Sequence, residues 1–222
     1  MAERGLIDRR PWLVASLLFG ISYWFVAQGL VLPKLPGLLV IAWKGAGVAL
    51  LAAYAWAHHP SRDAHKVALV MGLGAIGDMV LEVNFIAGAV AFLLGHLIAV
   101  SLYLRYRREI MSPSQRLAGL AVLVATPFIA FALTGQPTVA LYSAALGAMA
   151  AAAWTSAFPR YRVGLGAVLF VASDLLIFAR MGPLAGDVLA KALIWPLYYF
   201  GQFLICTGAI SFLRRQGQFR EE

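Results

Sequence analysis

Charged residues and cysteine are scarce in this chain, and each scarcity excludes a class of protein. Charged residues make up only 13% of the 222 positions, whereas a soluble domain has about a quarter, so an ordinary soluble domain is excluded. The single cysteine, Cys206, lies in an apolar run, so neither an internal disulfide nor a cysteine metal site is available. Acidic residues number only 10 against 18 lysines and arginines, which gives a net charge of +8.

The positive charge does not indicate nucleic acid as a partner. Basic residues lie between apolar runs rather than along one face, unlike the basic patch of a nucleic-acid-binding domain. A cleavable signal peptide is not evident either. The first apolar run begins at Pro11 and is about 20 residues long, which is the length of a membrane span rather than of a signal-peptide core.

Long apolar runs are what the sequence has instead, with hydrophobic residues at 62% of positions. A membrane-spanning helix needs about 20 such residues. Eight runs approach or exceed this length: residues 11–31, 36–57, 65–82, 84–104, 116–134, 137–157, 161–179 and 188–213. Short connections join them, with a tight turn near Val83-Asn84 and turn-forming residues at 134–137. The sequence therefore predicts an all-α membrane protein with eight transmembrane helices in a single bundle, forming one domain over residues 1–222.

The basic residues are distributed unequally between the two ends of these spans. With eight spans both termini face the same side, which would hold fourteen of the eighteen basic residues: Arg4, Arg9, Arg10, Arg62, Lys66, Arg105, Arg107, Arg108, Arg116, Arg160, Arg162, Arg214, Arg215 and Arg220. The opposite side would hold Lys34, Arg180 and Lys191, while Lys44 lies within the second span. Because lysine and arginine are enriched on the cytoplasmic side, both termini are predicted to be cytoplasmic.

A weak internal similarity relates the two halves of the chain. Spans three and four carry Gly77-Asp78 and Gly95-His96, and spans seven and eight carry Ser173-Asp174 and Gly201-Gln202. Since four spans separate the similar segments, the similarity predicts a 4+4 parallel repeat about an axis along the membrane normal.

Polar residues inside the spans are the candidates for function. A carboxylate at membrane depth costs several kcal/mol, and both Asp78 and Asp174 lie about 13 residues into outward-running spans, which predicts a similar depth. The other polar residues predicted near this depth are Lys44, Glu82, His96, Tyr198, Tyr199 and Gln202. Together they predict one cavity open to the outer side, with Asp78 and Asp174 catalytic and the others binding or supporting the substrate.

Each of these residues also has a purely structural interpretation. Lys44 could form a buried salt bridge, and His96 a hydrogen bond between helices. Glu82 could be a solvated helix end, and Tyr198 and Tyr199 could belong to an interfacial aromatic belt. The two aspartates favour function more strongly, because two acids facing one lysine leave a negative charge that a structural design would avoid.

Two further patterns are not read as functional sites. Residues 72–77 fit the GxGxxG dinucleotide pattern but lie inside a span with no strand before them, so they are interpreted as helix-packing glycines. A zinc hydrolase would need several histidines at depth, and only His96 qualifies, since His58, His59 and His65 fall in a predicted loop. No metal and no cofactor is predicted.

The ordered set of motifs resembles one known family. Trp43-Lys44, residues 73–78, Gly95-His96, residues 169–174 and residues 198–202 together resemble the YhhN-type lysoplasmalogenases, which are integral-membrane alkenyl ether hydrolases. Two positions depart from the pattern, Gly45 after the lysine and Gln202 in place of a histidine found in some members. The resemblance implies cleavage of lysoplasmenyl-choline or -ethanolamine to a fatty aldehyde and a glycerophospho-head group, with a lysophospholipid in the bilayer as substrate.

The chemistry of this bond fits a pair of aspartates. An alkenyl ether is inert to nucleophiles but hydrolyses after protonation of its β-carbon, which gives an oxocarbenium ion that water captures. An enzyme therefore needs one carboxylic acid and one carboxylate, as in glycosidases with an oxocarbenium-like transition state. The sequence leaves open which of Asp78 and Asp174 is the acid, with Lys44 holding one of them ionised and His96, Gln202 and the tyrosines positioning water or the glycerol hydroxyl.

The same residues are also compatible with other functions. A small transporter would also place an Asp/Lys site at the midplane, and another intramembrane lipid hydrolase would need a nucleophile, for which Ser173 beside Asp174 is poorly oriented. A membrane scaffold is the third alternative. The clean charge asymmetry and short loops favour a bacterial plasma membrane, while the head group preferred and the oligomeric state stay undetermined.

Overall fold

A computed structural model describes residues 10–32 and 35–218, and their regular structure is helical apart from one isolated backbone bridge between Arg107 and Ser156. These ranges contain eight α-helices: α1 Arg10–Ala27, α2 Gly37–His58, α3 Arg62–Leu81, α4 Phe85–Arg105, α5 Pro113–Thr134, α6 Pro137–Thr155, α7 Leu165–Arg180 and α8 Val188–Gln218. A π-helical turn, Arg160–Gly164, leads directly into α7. The all-α prediction is confirmed, and the predicted spans agree with the helices to within a few residues at most ends.

Seven of the helices are long and apolar enough to cross a membrane, so the chain is a multi-pass membrane protein. The exception is α1, whose apolar stretch Pro11–Ala27 is shorter than a full span. The predicted first span, 11–31, is therefore shortened at its C-terminal end, where Gly29 adopts a φ of +71°. The eighth crossing stays a prediction.

Several residues used for the predicted orientation lie outside the described part of the chain. These are Arg4, Arg9, Lys34 and Arg220, and the Arg10 side chain is likewise not described. The cytoplasmic location of both termini, the 4+4 repeat and the single domain over residues 1–222 stay predictions.

The turns between helices follow the local sequence. Ser112 and Gln115 form a reciprocal capping box at the start of α5, which satisfies backbone N–H groups that would otherwise have no partner. Helix α5 ends at Gly135, whose φ of +66° favours glycine, and α6 starts at Pro137, as the turn predicted at 134–137 requires. The tight turn between α3 and α4 is also confirmed, with Asn84 Oδ1 accepting a hydrogen bond from the Ala87 backbone N–H at 3.0 Å.

The chain divides into two compact units, unit one with residues Met1–Gly95 and Ile210–Glu222, and unit two with His96–Ala209. In unit one, α2 packs against both α1 and α3. Ser16 Oγ donates to the Gly47 carbonyl oxygen at 2.6 Å, and Trp43 Nε1 donates to Ser22 Oγ at 3.0 Å. A Cβ added to Gly77 would come within 2.6 Å of the Phe92 ring, so this glycine of the GxGxxG pattern serves helix packing.

In unit two, α6 packs against both α5 and α7. Helices α7 and α8 approach so closely that a Cβ on Gly166 would lie 2.6 Å from the Gly201 carbonyl oxygen. Such contacts between small residues let helix backbones approach in a membrane protein. At one end of the unit, Arg108 Nε donates to the Ser156 carbonyl oxygen at 2.6 Å, which ties the loop after α4 to the loop after α6.

Candidate functional site

Unit one contains a polar cluster built on charged side chains. Lys44 lies in the second turn of α2, Asp78 in the last turn of α3, and Glu82 directly after α3. Lys44 Nζ lies 2.5 Å from Glu82 Oε1 in an ion pair, with the lysine side chain 15% exposed and the glutamate 43% exposed. Glu82 is thus partly exposed and at the same time pairs with the lysine.

Asp78 is more deeply buried than this ion pair, at 3% exposure. It lies one helical turn before Glu82, so both carboxylates point from the same face of the helix end.

Unit two contains a second polar cluster, which is built on hydrogen bonds between uncharged groups and one carboxyl. Asp174, in the middle of α7, is 6% exposed. Tyr142 Oη, from α6, donates a hydrogen bond to Asp174 Oδ2 at 2.8 Å. His96 Nε2, from α4, lies 3.2 Å from the same Tyr142 oxygen, and His96 is only 3% exposed. The three residues form a continuous chain of hydrogen bonds from the imidazole to the carboxyl.

The helix spacing explains why Tyr142 reaches Asp174. Phe178 lies one turn after Asp174 on the same face of α7. Tyr142 packs edge-on against the Phe178 ring, with ring centroids 6.1 Å apart, and belongs to the apolar cluster around Phe178, Ala130 and Val139. Apolar packing of α5, α6 and α7 therefore holds the tyrosine ring, and its hydroxyl is left to bond the carboxyl.

Aromatic rings pack against the His96–Tyr142–Asp174 hydrogen bonds. Phe170, one turn before Asp174, lies edge-on to His96 with ring centroids 5.1 Å apart, and it also packs edge-on against Tyr198 of α8 at 5.1 Å. Gln202 Nε2 donates to Tyr198 Oη at 3.4 Å. Gln202 is 2% exposed, and its Oε1 has no hydrogen-bond partner among the residues that the structure describes. That oxygen is a buried acceptor that could take a hydrogen bond from a hydroxyl group or a water molecule.

Tyr198 and Tyr199 are core residues of unit two rather than members of an interfacial belt. Their exposures are 5% and 1%, and both pack against Trp195, with ring centroids 5.5 and 5.9 Å away. Belt residues place their polar ends at the headgroup level, whereas these side chains are enclosed by protein. The belt interpretation is therefore wrong for both tyrosines.

The predicted site residues thus fall into two groups. Unit one holds Lys44, Asp78 and Glu82, and unit two holds His96, Asp174, Tyr198, Tyr199 and Gln202. The shared cavity predicted for Asp78 and Asp174 stays a prediction. Tyr142 is the residue that sequence reasoning missed in unit two, and its only signal was a hydroxyl placed two turns into a span otherwise rich in alanine.

Other chemistries have less support in the described residues. Ser173 Oγ donates to the Ile194 carbonyl oxygen at 3.0 Å and so joins α7 to α8, which is a structural role. Within residues 10–32 and 35–218, no three His, Cys, Asp or Glu side chains converge in a way that could hold a metal ion.

Comparison with known proteins decides the family. The sequence profile of the YhhN family matches residues 39–209, which is most of the chain. The chain belongs to the YhhN family. Two proteins named lysoplasmalogenase, from Mycobacterium bovis and Mycobacterium tuberculosis, are each 30% identical to this YhhN-family chain over 218 residues, covering 89% of it and 82% of their own length. No solved structure matches it. The family resemblance seen in the sequence motifs is confirmed.

Proposed function

We propose that this YhhN-family protein is a lysoplasmalogenase, which hydrolyses the alkenyl ether bond of lysoplasmenyl-choline or -ethanolamine. The products are a fatty aldehyde and glycerophosphocholine or glycerophosphoethanolamine. One observation of the structure supports this most directly: a buried carboxyl, Asp174, is hydrogen-bonded to a phenol that in turn contacts an imidazole. The names of the two mycobacterial relatives support the same activity.

The reaction explains why a carboxyl inside a membrane span would be retained. Protonation of the alkenyl β-carbon creates an oxocarbenium ion, and water adds to it to give a hemiacetal that collapses to aldehyde and alcohol. A positioned acid contributes roughly 10²–10⁴-fold to such a step. A second carboxylate would stabilise the cation, as in glycosidases. Asp78 and Asp174 are the residues proposed for these two roles, and buried Gln202 is proposed to orient water or the glycerol hydroxyl.

The proposed location follows from the charge distribution and the apolar helices. We place the protein in a bacterial plasma membrane with both termini in the cytoplasm, since basic residues concentrate on that predicted side. Its proposed substrate has one long alkenyl chain and a polar head, so the lipid bilayer itself presents the substrate to the helices.

The direct test separates ether cleavage from ester cleavage. Purified protein in detergent is incubated with a lysoplasmalogen and, in parallel, with the matching ester lysophospholipid, and aldehyde and fatty acid are measured separately. We expect aldehyde from the first substrate and no fatty acid from the second. Fatty acid release without aldehyde would make the protein a lysophospholipase, and no product from either would refute the proposed hydrolase.

A further inference from the structure

We propose that Asp174 is the acid that protonates the alkenyl ether, and that Tyr142 relays to it a replacement proton that His96 takes up from the attacking water. This inference rests on the proposed function and deepens it, because it selects one of the two aspartates and adds a residue, Tyr142, to the site. Tyr142 is a positioning and relay residue in this scheme, since it acts through Asp174 rather than on the lipid.

The number of protons available to His96, Tyr142 and Asp174 fixes the direction of the hydrogen bonds between them. A phenol has one proton, and Tyr142 donates it to Asp174 Oδ2 at 2.8 Å. The 3.2 Å contact between Tyr142 Oη and His96 Nε2 must then be a bond that the imidazole donates. When Asp174 is itself protonated, both bonds reverse, so that Asp174 donates to Tyr142 and Tyr142 donates to His96 Nε2, and the neutral imidazole then carries its proton on Nδ1. The two arrangements are related by one proton taken up at Nδ1 and one proton passed from Nε2 through Tyr142 to Asp174.

A balanced reaction can use these two arrangements. Protonated Asp174 gives its proton to the β-carbon, and the carbon–carbon double bond becomes an oxocarbenium ion while Asp174 becomes a carboxylate. With Asp174 ionised, Tyr142 donates to the carboxylate, and the neutral imidazole, now protonated on Nε2 instead of Nδ1, donates to Tyr142. Water adds to the cation, and His96 Nδ1 accepts the proton that it releases, while the Nε2 proton passes to Tyr142 and the Tyr142 proton passes to Asp174. Asp174 is thereby reprotonated, and His96 is again neutral with its proton on Nδ1. The hemiacetal then moves its hydroxyl proton to the glycerol oxygen as the bond to that oxygen breaks.

Burial explains why a relay would be needed. His96 is 3% exposed and Asp174 is 6% exposed, so neither exchanges protons freely with bulk water. The Phe170 ring covers one side of the imidazole, with centroids 5.1 Å apart, and Tyr142 covers another, at 5.6 Å. A hydrogen-bonded chain of acidic and basic groups can move a proton between enclosed groups, as Asp, Glu and His chains do inside membrane proteins.

Tyr142→Phe is the decisive variant because it keeps the ring and its packing against Phe178 while removing the hydroxyl. Tyr103→Phe is the matched control, since Tyr103 is another buried tyrosine of unit two, 2% exposed, whose ring packs edge-on against Phe158 at 5.7 Å. For aldehyde release, we expect Tyr142→Phe to lower kcat at least about tenfold with little change in KM, as loss of acid–base assistance does. We expect Tyr103→Phe to match the wild type.

A second readout does not depend on turnover. The chain has four histidines, so that isotope-labelled histidine gives a simple NMR spectrum, and His96→Gln identifies the His96 signal by its loss. We expect the His96 Nε2 signal to shift in Tyr142→Phe and in Asp174→Asn, but not in Tyr103→Phe. This measurement still tests the hydrogen-bonded chain if one of the first two variants does not fold, while the fall in kcat tests the proton transfer itself.

The outcomes separate this inference from the proposed function. Wild-type aldehyde release with an unchanged kcat in Tyr142→Phe would overturn the relay and leave the lysoplasmalogenase activity standing. A His96 Nε2 signal with the same chemical shift in wild type, Tyr142→Phe and Asp174→Asn would also overturn the relay. No aldehyde from the wild type would refute the proposed function, and the assignment of Asp174 as its acid would fail with it.

Discussion

The two polar clusters differ in the kind of group that surrounds the aspartate. In unit one, Asp78 lies beside the ion pair of Lys44 and Glu82, whose glutamate is 43% exposed. In unit two, Asp174 bonds to a phenol that contacts an imidazole, and the aromatic rings around them are buried. Fixed charges act over a distance and can stabilise a developing cation, whereas a hydrogen-bonded chain of carboxyl, phenol and imidazole can move a proton. We therefore infer an electrostatic role for unit one and a proton-transfer role for unit two.

The largest expected effect is the loss of activity on replacing either aspartate. Asp174→Asn keeps the shape of the side chain but cannot supply a proton, so aldehyde release should fall at least about a hundredfold. Asp78→Asn should also nearly abolish release, because the carboxylate that steadies the oxocarbenium ion is gone. Initial rates of aldehyde formation by folded, detergent-purified variants provide the measurement. Substantial activity in Asp174→Asn together with loss in Asp78→Asn would reverse the roles assigned to the two units.

The next effect concerns helix packing and compares one glycine from each unit. A Cβ on Gly166 meets the backbone oxygen of Gly201 at 2.6 Å, whereas a Cβ on Gly77 meets the movable ring of Phe92. Gly166→Ala should therefore destabilise the protein more than Gly77→Ala, by about 1–3 kcal/mol as overpacking does. Gly72→Ala is the control, because nothing lies within 4 Å of the added atom. Thermal unfolding in detergent would contradict this ranking if Gly77→Ala melted first.

A smaller effect is expected from the hydrogen bond that joins α7 to α8. Ser173→Ala removes the donor to the Ile194 carbonyl oxygen, and an interhelical bond of this kind contributes about 0.6 kcal/mol on average. Aldehyde release should stay close to wild type in this variant, in contrast to the neighbouring Asp174→Asn. If Ser173→Ala abolished activity without unfolding, a serine nucleophile would replace the proposed acid chemistry of unit two.

The smallest expected effect is on the stability contributed by the unit-one ion pair. Since Glu82 is partly exposed, Glu82→Gln should reduce the free energy of unfolding by only about 0.2–1 kcal/mol. Raising the salt concentration should shrink the difference between wild type and variant. A loss of several kcal/mol would instead mean that the pair is shielded from solvent, and the contrast between a charged, partly exposed cluster and an enclosed one would disappear.

Most of the fold was predictable because its signal is local. Apolar length alone located the helices, and Gly135, Pro137 and Asn84 marked the turns that the structure contains. The motifs around Lys44, Asp78, His96 and Asp174 were sufficient to recognise the family. The first span was overestimated, because apolar residues beyond Ala27 continue the hydrophobic run after the helix has ended. Hydropathy measures how apolar the side chains are, and it does not indicate the residue at which helical backbone hydrogen bonding ends.

The candidate site was predictable only in part. An aspartate in a span is conspicuous from its insertion cost, so both were found. Tyr142 was not, because a phenol is compatible with an apolar helix whether or not its hydroxyl has a partner. The pairing of Lys44 with Glu82 was equally hidden, since a long lysine side chain reaches several groups and its rotamer depends on the packing around it.

Hydropathy, helix length and turn chemistry are properties of neighbouring residues, so the amino-acid sequence was enough to predict a helical membrane protein with acids inside its spans. The groups that touch those acids became known from helix packing alone. Hydrogen-bond partners such as Tyr142 and Asp174 lie 32 positions apart in sequence, and their contact depends on how two helices pack. Helix packing reflects the combined shape of many side chains, and no single motif encodes it.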